Sequence, residues 1–282
     1  MNTLSHVFQL FQSELKNLYD KKEIDQFVFL IGYFEFKVSK FKMLQSRNEP
    51  ISANEYNFYS TVLDRLKKRE PIQYILGKTE FYNLFFTVNK NTLIPRSETE
   101  ELVDLIIAEN VSKTSRIIDI GTGSGCIAVA LKKNIKEADV FALDISDEAL
   151  KVAKKNAEIN HTTIQFINQS IFDIEGMNQV FDIIVSNPPY VLEEEKKMMH
   201  ANVLNFEPHL ALFVSNENPL LYYKAIVEFA EKSLIQNGKI YLEINPNQSV
   251  NIQLLAKESG YCCQLVRDMS NKERIAVLWK LA

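Results

Sequence analysis

Asn187-Pro188-Pro189-Tyr190 is the string whose residue types and spacing most clearly suit chemistry. Consecutive prolines lack N–H donors and stiffen the backbone, so they cannot continue the apolar run Phe181-Asp182-Ile183-Ile184-Val185 that leads into them. They close a strand and hold a carboxamide and a phenol ring rigidly at its carboxyl edge. Asn-Pro alone would suit an ordinary strand-terminating turn. The whole string suits something more demanding. The nitrogen of a planar amide or aromatic amine is a poor nucleophile because its lone pair is delocalised. Two acceptors, the Asn187 side-chain oxygen and the Pro188 carbonyl, can take its two N–H groups and favour positive charge developing on it. Tyr190 can pack against the flat group. Asn187, Pro188 and Tyr190 are therefore candidate catalytic residues, and Asn187, Pro188, Pro189 and Tyr190 the candidate substrate site.

A second constellation lies upstream. Ile117-Ile118-Asp119-Ile120-Gly121-Thr122-Gly123-Ser124-Gly125 reads as a buried strand entering a glycine-rich turn, with a helix after it. Glycines let a backbone approach a ligand and take positive φ, and ligands of open α/β sheets bind at the carboxyl ends of strands. The spacing is GxGxG, neither the dinucleotide GxGxxG (Cys126 stands at its third glycine) nor a Walker loop. The next strand ends in Asp144, suitably placed to accept hydrogen bonds from two ribose hydroxyls, while Ser146 is left to cap the following helix. An anionic Asp119 would suit a ligand's ammonium group. This set resembles motif I and its following acid in class I methyltransferases, whose ligand is S-adenosylmethionine. The resemblance makes Asp119, Gly121, Thr122, Gly123, Ser124, Gly125, Asp144 and Asn187 candidate cofactor contacts. Ile171 and Phe172 can flank an adenine or simply pack in the core. Ser170 stands where many relatives carry an acid.

These strings need a sheet to position them. From Arg116 onward, short apolar strands (116–120, 138–143, 163–168, 181–186, 238–244, 261–267, 274–280) alternate with helical segments (125–135, 146–159, 218–235, 248–258). That is the pattern of a parallel α/β sheet with helices on both faces. Only Asp268–Glu273 joins the last two strands, too short for a crossover helix, so an antiparallel edge pair is expected. Residues 1–75 read as a bundle of about four helices. Val7, Leu10, Phe11, Leu15 and Leu18 recur at helical spacing, Ser52 and Glu55 form a capping box, and Phe27, Phe29, Tyr33, Phe34 and Phe36 read as core. Between the two halves, the β-rich run from Phe81 to Val88 within 79–95 suggests a hairpin turning at Asn83, and Ser97 is expected to cap a helix with Glu100 at N3. The expected domains are thus 1–75 helical, 76–97 a β-hairpin linker and 98–282 the α/β half.

Over 282 residues, a net charge of −4 offers no broad basic surface for nucleic acid. Three cysteines form no framework, four scattered histidines have no metal-ligand spacing, and no metal is expected. With neither a signal peptide nor a run long enough to span a membrane, a cytoplasmic location and no membrane partner are expected.

Several further strings carry a resemblance over nearly the whole chain: Pro71-Ile72-Gln73-Tyr74-Ile75-Leu76-Gly77, Glu80-Phe81-Tyr82, Leu93 to Glu100, Phe206-Glu207-Pro208-His209-Leu210-Ala211-Leu212, and Asp268 with Arg274. With the Asn187–Tyr190 string they resemble the release factor glutamine methyltransferases. The resemblance implies a class I methyltransferase (Rossmann-like) α/β fold, with a small N-terminal helical bundle for substrate recognition. It implies N5-methylation of the glutamine in the Gly-Gly-Gln motif of class 1 peptide chain release factors, with S-adenosyl-L-methionine as co-substrate and S-adenosyl-L-homocysteine as product. A monomer without a direct nucleic-acid partner is expected. Ser97, Asn83 and Asn245 depart from the family's usual proline, glycine and glycine. Arg96–Glu100 can cover the site or cap its helix, and Glu207-Pro208 can shape a substrate groove or a buried turn. The rival readings are a methyltransferase for base amino groups, one for a ribosomal-protein glutamine, and a binding protein that keeps the fold without turnover.

Overall fold

Strands buried on both faces need apolar residues at consecutive positions, and Ile117-Ile118, Ile183-Ile184 and Ala276-Val277 supply them. The computed structural model describes residues 2–110, 115–174 and 177–281. It places these runs in a seven-stranded sheet: β1 (Arg116–Ile120), β2 (Asp139–Asp144), β3 (Gln165–Asn168), β4 (Phe181–Ser186), β5 (Leu234–Glu243), β6 (Cys262–Arg267) and β7 (Glu273–Trp279). The spatial order is β6-β7-β5-β4-β1-β2-β3. The β3-β2-β1-β4-β5 block is parallel throughout. The expected antiparallel pair forms between β6 and β7, and β7 is the partner that inserts beside β5, antiparallel to it as well.

Successive strand residues point to opposite faces, so each face builds its own core. Ile117, Val140, Ile183, Tyr241 and Val277 pack with the helices Ser97–Asn110 and Cys126–Asn134. Ile118, Phe141, Ile184, Leu242 and Leu278 pack with Leu221–Ser233 and Ser249–Glu258.

The chain separates into two compact units. The larger comprises residues 79–199 and 207–282, and the smaller 1–78 together with 200–206. The hairpin strand Leu84–Thr87 and nearly all of Lys78–Phe81 fall in the larger unit. Their turn is Tyr82-Asn83, both at positive φ (50° and 57°), the geometry of a tight primed hairpin turn. A tyrosine is strained there, and two bonds hold it: its N–H donates to Glu100 Oε1 at 2.7 Å and its hydroxyl to Asp104 Oδ1 at 2.9 Å. Glu100 is thus engaged by the hairpin rather than by a capping box. Ser97 opens its helix as the first residue, with its hydroxyl donating to Glu98, so the expected Ser97 cap does not form.

In the smaller unit, four helices (Leu4–Leu15, Lys21–Phe34, Lys40–Gln45, Ala53–Leu66) are followed by the single turn Ile72–Leu76. The Ser52–Glu55 capping box is present. Phe27 and Phe34 are buried and Phe29 and Phe36 half-buried, but Tyr33 is exposed, because it falls on the outer side of its helix. The helix Ala201–Phe206 clusters with this unit, although it follows β4 in the chain. No described helix is long and apolar enough to cross a membrane.

Candidate active site

The sheet order reverses beside β1, where the chain leaves for β2 on one side and β4 lies on the other. Crevices open at such switch points. Ile120 and Ser186 are register partners at the carboxyl ends of β1 and β4, and Ser186 Oγ donates to the Ile120 carbonyl at 2.6 Å. The glycine turn and the Asn187–Tyr190 string therefore leave adjacent strands side by side. A cavity of about 350 Å³ lies there, within the ordinary range for a small-molecule site.

Its floor is the glycine turn. Gly121 has φ +73°, and a Cβ built on it meets nothing within 4 Å, so the turn presents bare backbone to the cavity. Gly125 faces away from it. At φ +79°, a Cβ there would stand 3.0 Å from Ala153 Cβ and 3.2 Å from Ala153 Cα, so this glycine lets the helix Asp147–Ile159 pack against the turn. Buried Asn156 on that helix binds the turn's Ser124 carbonyl at 2.8 Å. It also takes up the Thr87 N–H and C=O of the hairpin at 2.7 and 2.9 Å.

Asp144 ends β2 at the cavity wall. Gly123 N–H donates to its Oδ2 at 2.8 Å and Ser146 N–H to its Oδ1 at 2.9 Å. Burial raises its pKa, while the N–H groups of Ser146, Gly123 and Ile145 pull it back. Each oxygen keeps a lone pair for a ligand hydroxyl. Ser146 caps the next helix by accepting the Ala149 N–H, which leaves Asp144 free of that duty. Ile171 and Phe172 line the cavity from a short 3-10 turn that Ser170 Oγ caps, and the half-exposed Phe172 ring stacks at a tilt on Tyr222, 5.3 Å between centroids. A wall of bare glycine backbone, a carboxylate with open lone pairs and a flat apolar flank fit a nucleoside-bearing ligand such as S-adenosylmethionine.

Asp119 stands behind the turn and outside the cavity wall, wholly buried. Thr122 Oγ1 donates to its Oδ2 at 2.6 Å, and its Oδ1 has no hydrogen-bond partner among the described residues. Burial raises its carboxyl from 3.8 to about 7, against the Thr122 hydroxyl and the nearby Ala128 N–H, which lower it. A raised folded-state pKa contributes stability that is fully present below about pH 4 and lost as the pH climbs to about 7. Asp119→Asn should therefore raise the thermal midpoint by less at pH 5, where only part of that stability is lost, than at pH 8, where the rise is ~2 °C or more. Equal differences at the two pH values, measured by calorimetry on the ligand-free protein, would reject this account of Asp119.

Asn187, buried Pro188 and Pro189 line the cavity across from the turn, while Tyr190 lies behind them. Asn187 Nδ2 donates to Thr99 Oγ1 at 3.1 Å. Thr99 Oγ1 in turn donates to Glu243 Oε2 at 2.6 Å, and the Tyr190 hydroxyl donates to Glu243 Oε1 at 2.9 Å. Asn187 Oδ1 accepts no hydrogen bond within the described chain, so it is available to a ligand. Thr99 and Glu243 are the residues that sequence reasoning did not single out. A carboxylate closing the apolar run Ile240-Tyr241-Leu242 was the available signal, since an acid on a fully buried strand needs partners. Arg96 lines the cavity, and buried Glu207 pairs with it at 2.7 Å while accepting the Ile94 N–H at 3.2 Å. Both undecided segments, Arg96–Glu100 and Glu207-Pro208, thus meet at one ion pair beside the cavity.

A sheet in the order β3-β2-β1-β4-β5-β7-β6, with a glycine turn after β1 and an acid ending β2, defines a class I methyltransferase domain. Residues 99–210 match the Methyltransferase small domain, and residues 8–77 match the PrmC N-terminal domain. The chain is 46% identical to a release factor glutamine methyltransferase of Flavobacterium psychrophilum, over 94% of this chain and 95% of that one. It is 40% identical to one of Bacteroides thetaiotaomicron, over 96% and 98%. The chain belongs to the release factor glutamine methyltransferase family. Among solved structures, the hMettl16 catalytic domain in complex with MAT2A 3'UTR hairpin 1 superposes with a TM-score of 0.58 at 18% identity, over 89% of this chain and 91% of that one. That likeness speaks for the fold alone.

Proposed function

We propose that this methyltransferase moves a methyl group from S-adenosyl-L-methionine to the side-chain amide nitrogen of the glutamine in the Gly-Gly-Gln loop of class 1 peptide chain release factors. The observation that carries the reading is the Asn187 carboxamide, held at the cavity wall by its NH₂ end with its oxygen left over. When bound, the co-substrate supplies an electrophilic methyl on a sulfonium, whose S–C bond breaks as the methyl is taken so that S-adenosyl-L-homocysteine is the leaving group. Gly121, Thr122, Gly123, Ser124 and Asp144 are the residues that hold it, with Ile171 and Phe172 beside its base. Asp119 and Gly125 act one layer back, shaping the turn.

The glutamine amide is neutral and weakly nucleophilic. Asn187 Oδ1 and the Pro188 carbonyl accept its two N–H groups, which fixes the nitrogen and favours the positive charge it acquires as the new N–C bond forms. The excess proton then leaves to water. No side chain has to remove it beforehand, so positioning supplies most of the acceleration. Tyr190, pinned through its hydroxyl to Glu243, stiffens the backbone that carries Pro188.

The helical unit is the part we assign to recognition of the protein substrate, because one loop in a crevice gives little specificity. The reading places the enzyme in the cytoplasm as a monomer, which sedimentation checks, and gives it no nucleic-acid partner. The test offers labelled co-substrate with an intact release factor, its Gln→Ala variant, an isolated Gly-Gly-Gln loop peptide, ribosomal proteins, DNA and RNA. Label should enter the intact factor, skip the variant and reach the peptide only weakly. Label on nucleic acid or a ribosomal protein alone would overturn the substrate, and a peptide as good as the whole factor would overturn the recognition role.

A further inference from the structure

Hydrogen-bond polarity along Glu243, Thr99 and Asn187 leaves little freedom. An ionised carboxylate can only accept, so the Thr99 hydroxyl must spend its single proton on Glu243 Oε2 at 2.6 Å. Thr99 Oγ1 then faces Asn187 with lone pairs alone, and only the NH₂ end of that carboxamide can meet it, as it does at 3.1 Å. A flipped Asn187 would set oxygen against oxygen. The same carboxylate takes the Tyr190 proton on its other oxygen at 2.9 Å. Glu243 and Thr99 are both buried, at 1% and 2% exposure, so no water can replace either partner cheaply. The chain's own β5 end anchors the group further, since the Tyr223 hydroxyl donates to the Glu243 carbonyl at 3.2 Å.

We propose that Glu243 and Thr99 are positioning residues that set the polarity of the amide-binding site, forcing Asn187 Oδ1 to face the reacting nitrogen. The inference rests on the function proposed above and deepens it. A carboxamide could serve either way round: reversed, it would offer N–H groups to a nitrogen that needs acceptors. The specificity for an amide that brings two N–H donors thus originates two residues away from the ligand. Burial raises the Glu243 carboxyl above the ordinary carboxylate range, while the two hydroxyls it accepts from, Thr99 and Tyr190, and the Arg274 charge favour the ionised form this requires.

Three variants test the idea in the full-length enzyme: Thr99→Val, Thr99→Ser and Glu243→Gln. Thr99→Val keeps the shape but offers Asn187 nothing to hold. Glu243→Gln can donate to Thr99, releasing the threonine proton toward Asn187 and permitting the flip. Thr99→Ser keeps the hydroxyl. With intact release factor as substrate, kcat should fall ~10²-fold in Thr99→Val and in Glu243→Gln. The dissociation constant for S-adenosyl-L-homocysteine, by calorimetry, should stay within about threefold of native. Thr99→Ser should recover kcat to within about fivefold. Because both residues act through one carboxamide, the double variant Thr99→Val/Glu243→Gln should be little slower than either single one.

Thr99→Val with native kcat would overturn the proposal, as would losses that multiply in the double variant or a cofactor affinity that falls in step with kcat. If Glu243→Gln fails to fold, the Thr99 pair decides alone. A native enzyme that does not methylate the release factor would contradict the proposed function itself, and this inference with it. Native turnover that is insensitive to Thr99→Val would contradict only the positioning role.

Discussion

Asn187→Ala is expected to lower turnover on the release factor by ~10²- to 10³-fold, the usual effect of deleting one group that stabilises developing charge. Cofactor affinity should stay within about threefold of native, since the carboxamide is bonded to Thr99 and not to the glycine turn. Pro188→Ala makes a useful contrast. Its contribution is a backbone carbonyl, which survives the substitution, so only the stiffness of the buried ring is lost and a drop of about tenfold is expected. Single-turnover measurements at saturating cofactor separate these effects from product release. Native-like turnover in Asn187→Ala would remove that residue from the mechanism. Equal losses in both variants would mean that loop geometry, and not the side-chain oxygen, is what matters.

The second large effect is on the fold beneath the site. Gly125→Val puts a β-branched residue at φ +79° with its Cβ 3.0 Å from Ala153 Cβ. Left-handed strain and overpacking add to on the order of 3 kcal/mol or more, which lowers the thermal midpoint by ~6 °C or more in a protein of this size. Gly121→Ala separates strain from crowding. Its φ of +73° is equally unfavourable, but the new methyl meets nothing within 4 Å and projects beside the cavity. Its expected cost is only ~1–2 kcal/mol of stability, with cofactor affinity reduced more than tenfold. Differential scanning calorimetry beside cofactor titration reads both. A Gly125→Val midpoint within about 2 °C of native would show that the contact with Ala153 relaxes freely.

The sheet was legible because each strand is short, apolar and bounded by turns, and because Asp268–Glu273 cannot hold a crossover helix. The glycine turn and the Asn187–Tyr190 string were legible for a related reason: each is a local backbone device whose function follows from neighbours in sequence. What the sequence concealed is long-range. Thr99 and Glu243 lie 144 residues apart, and only the folded sheet makes them partners. Arg96 and Glu207 are separated by 111 residues, so their ion pair left two segments undecided. Asp119 reads identically whether it faces a ligand or braces a turn, and only its burial places it behind Thr122. Ser97 and Glu100 had the spacing of a cap, yet Tyr82 at the hairpin turn needed the carboxylate for its strained N–H. The helix Ala201–Phe206 belongs with the amino-terminal helices despite following β4, a grouping that no local pattern announces.

The most direct test of the central claim is tandem mass spectrometry of an intact release factor after incubation with the enzyme and S-adenosyl-L-methionine. The account predicts a single added methyl on the glutamine of the Gly-Gly-Gln loop, carried on the side-chain amide nitrogen, and the same product formed ~10²- to 10³-fold more slowly by the Asn187→Ala enzyme. A methyl on any other residue, or an unmodified factor beside methylated nucleic acid, would contradict it.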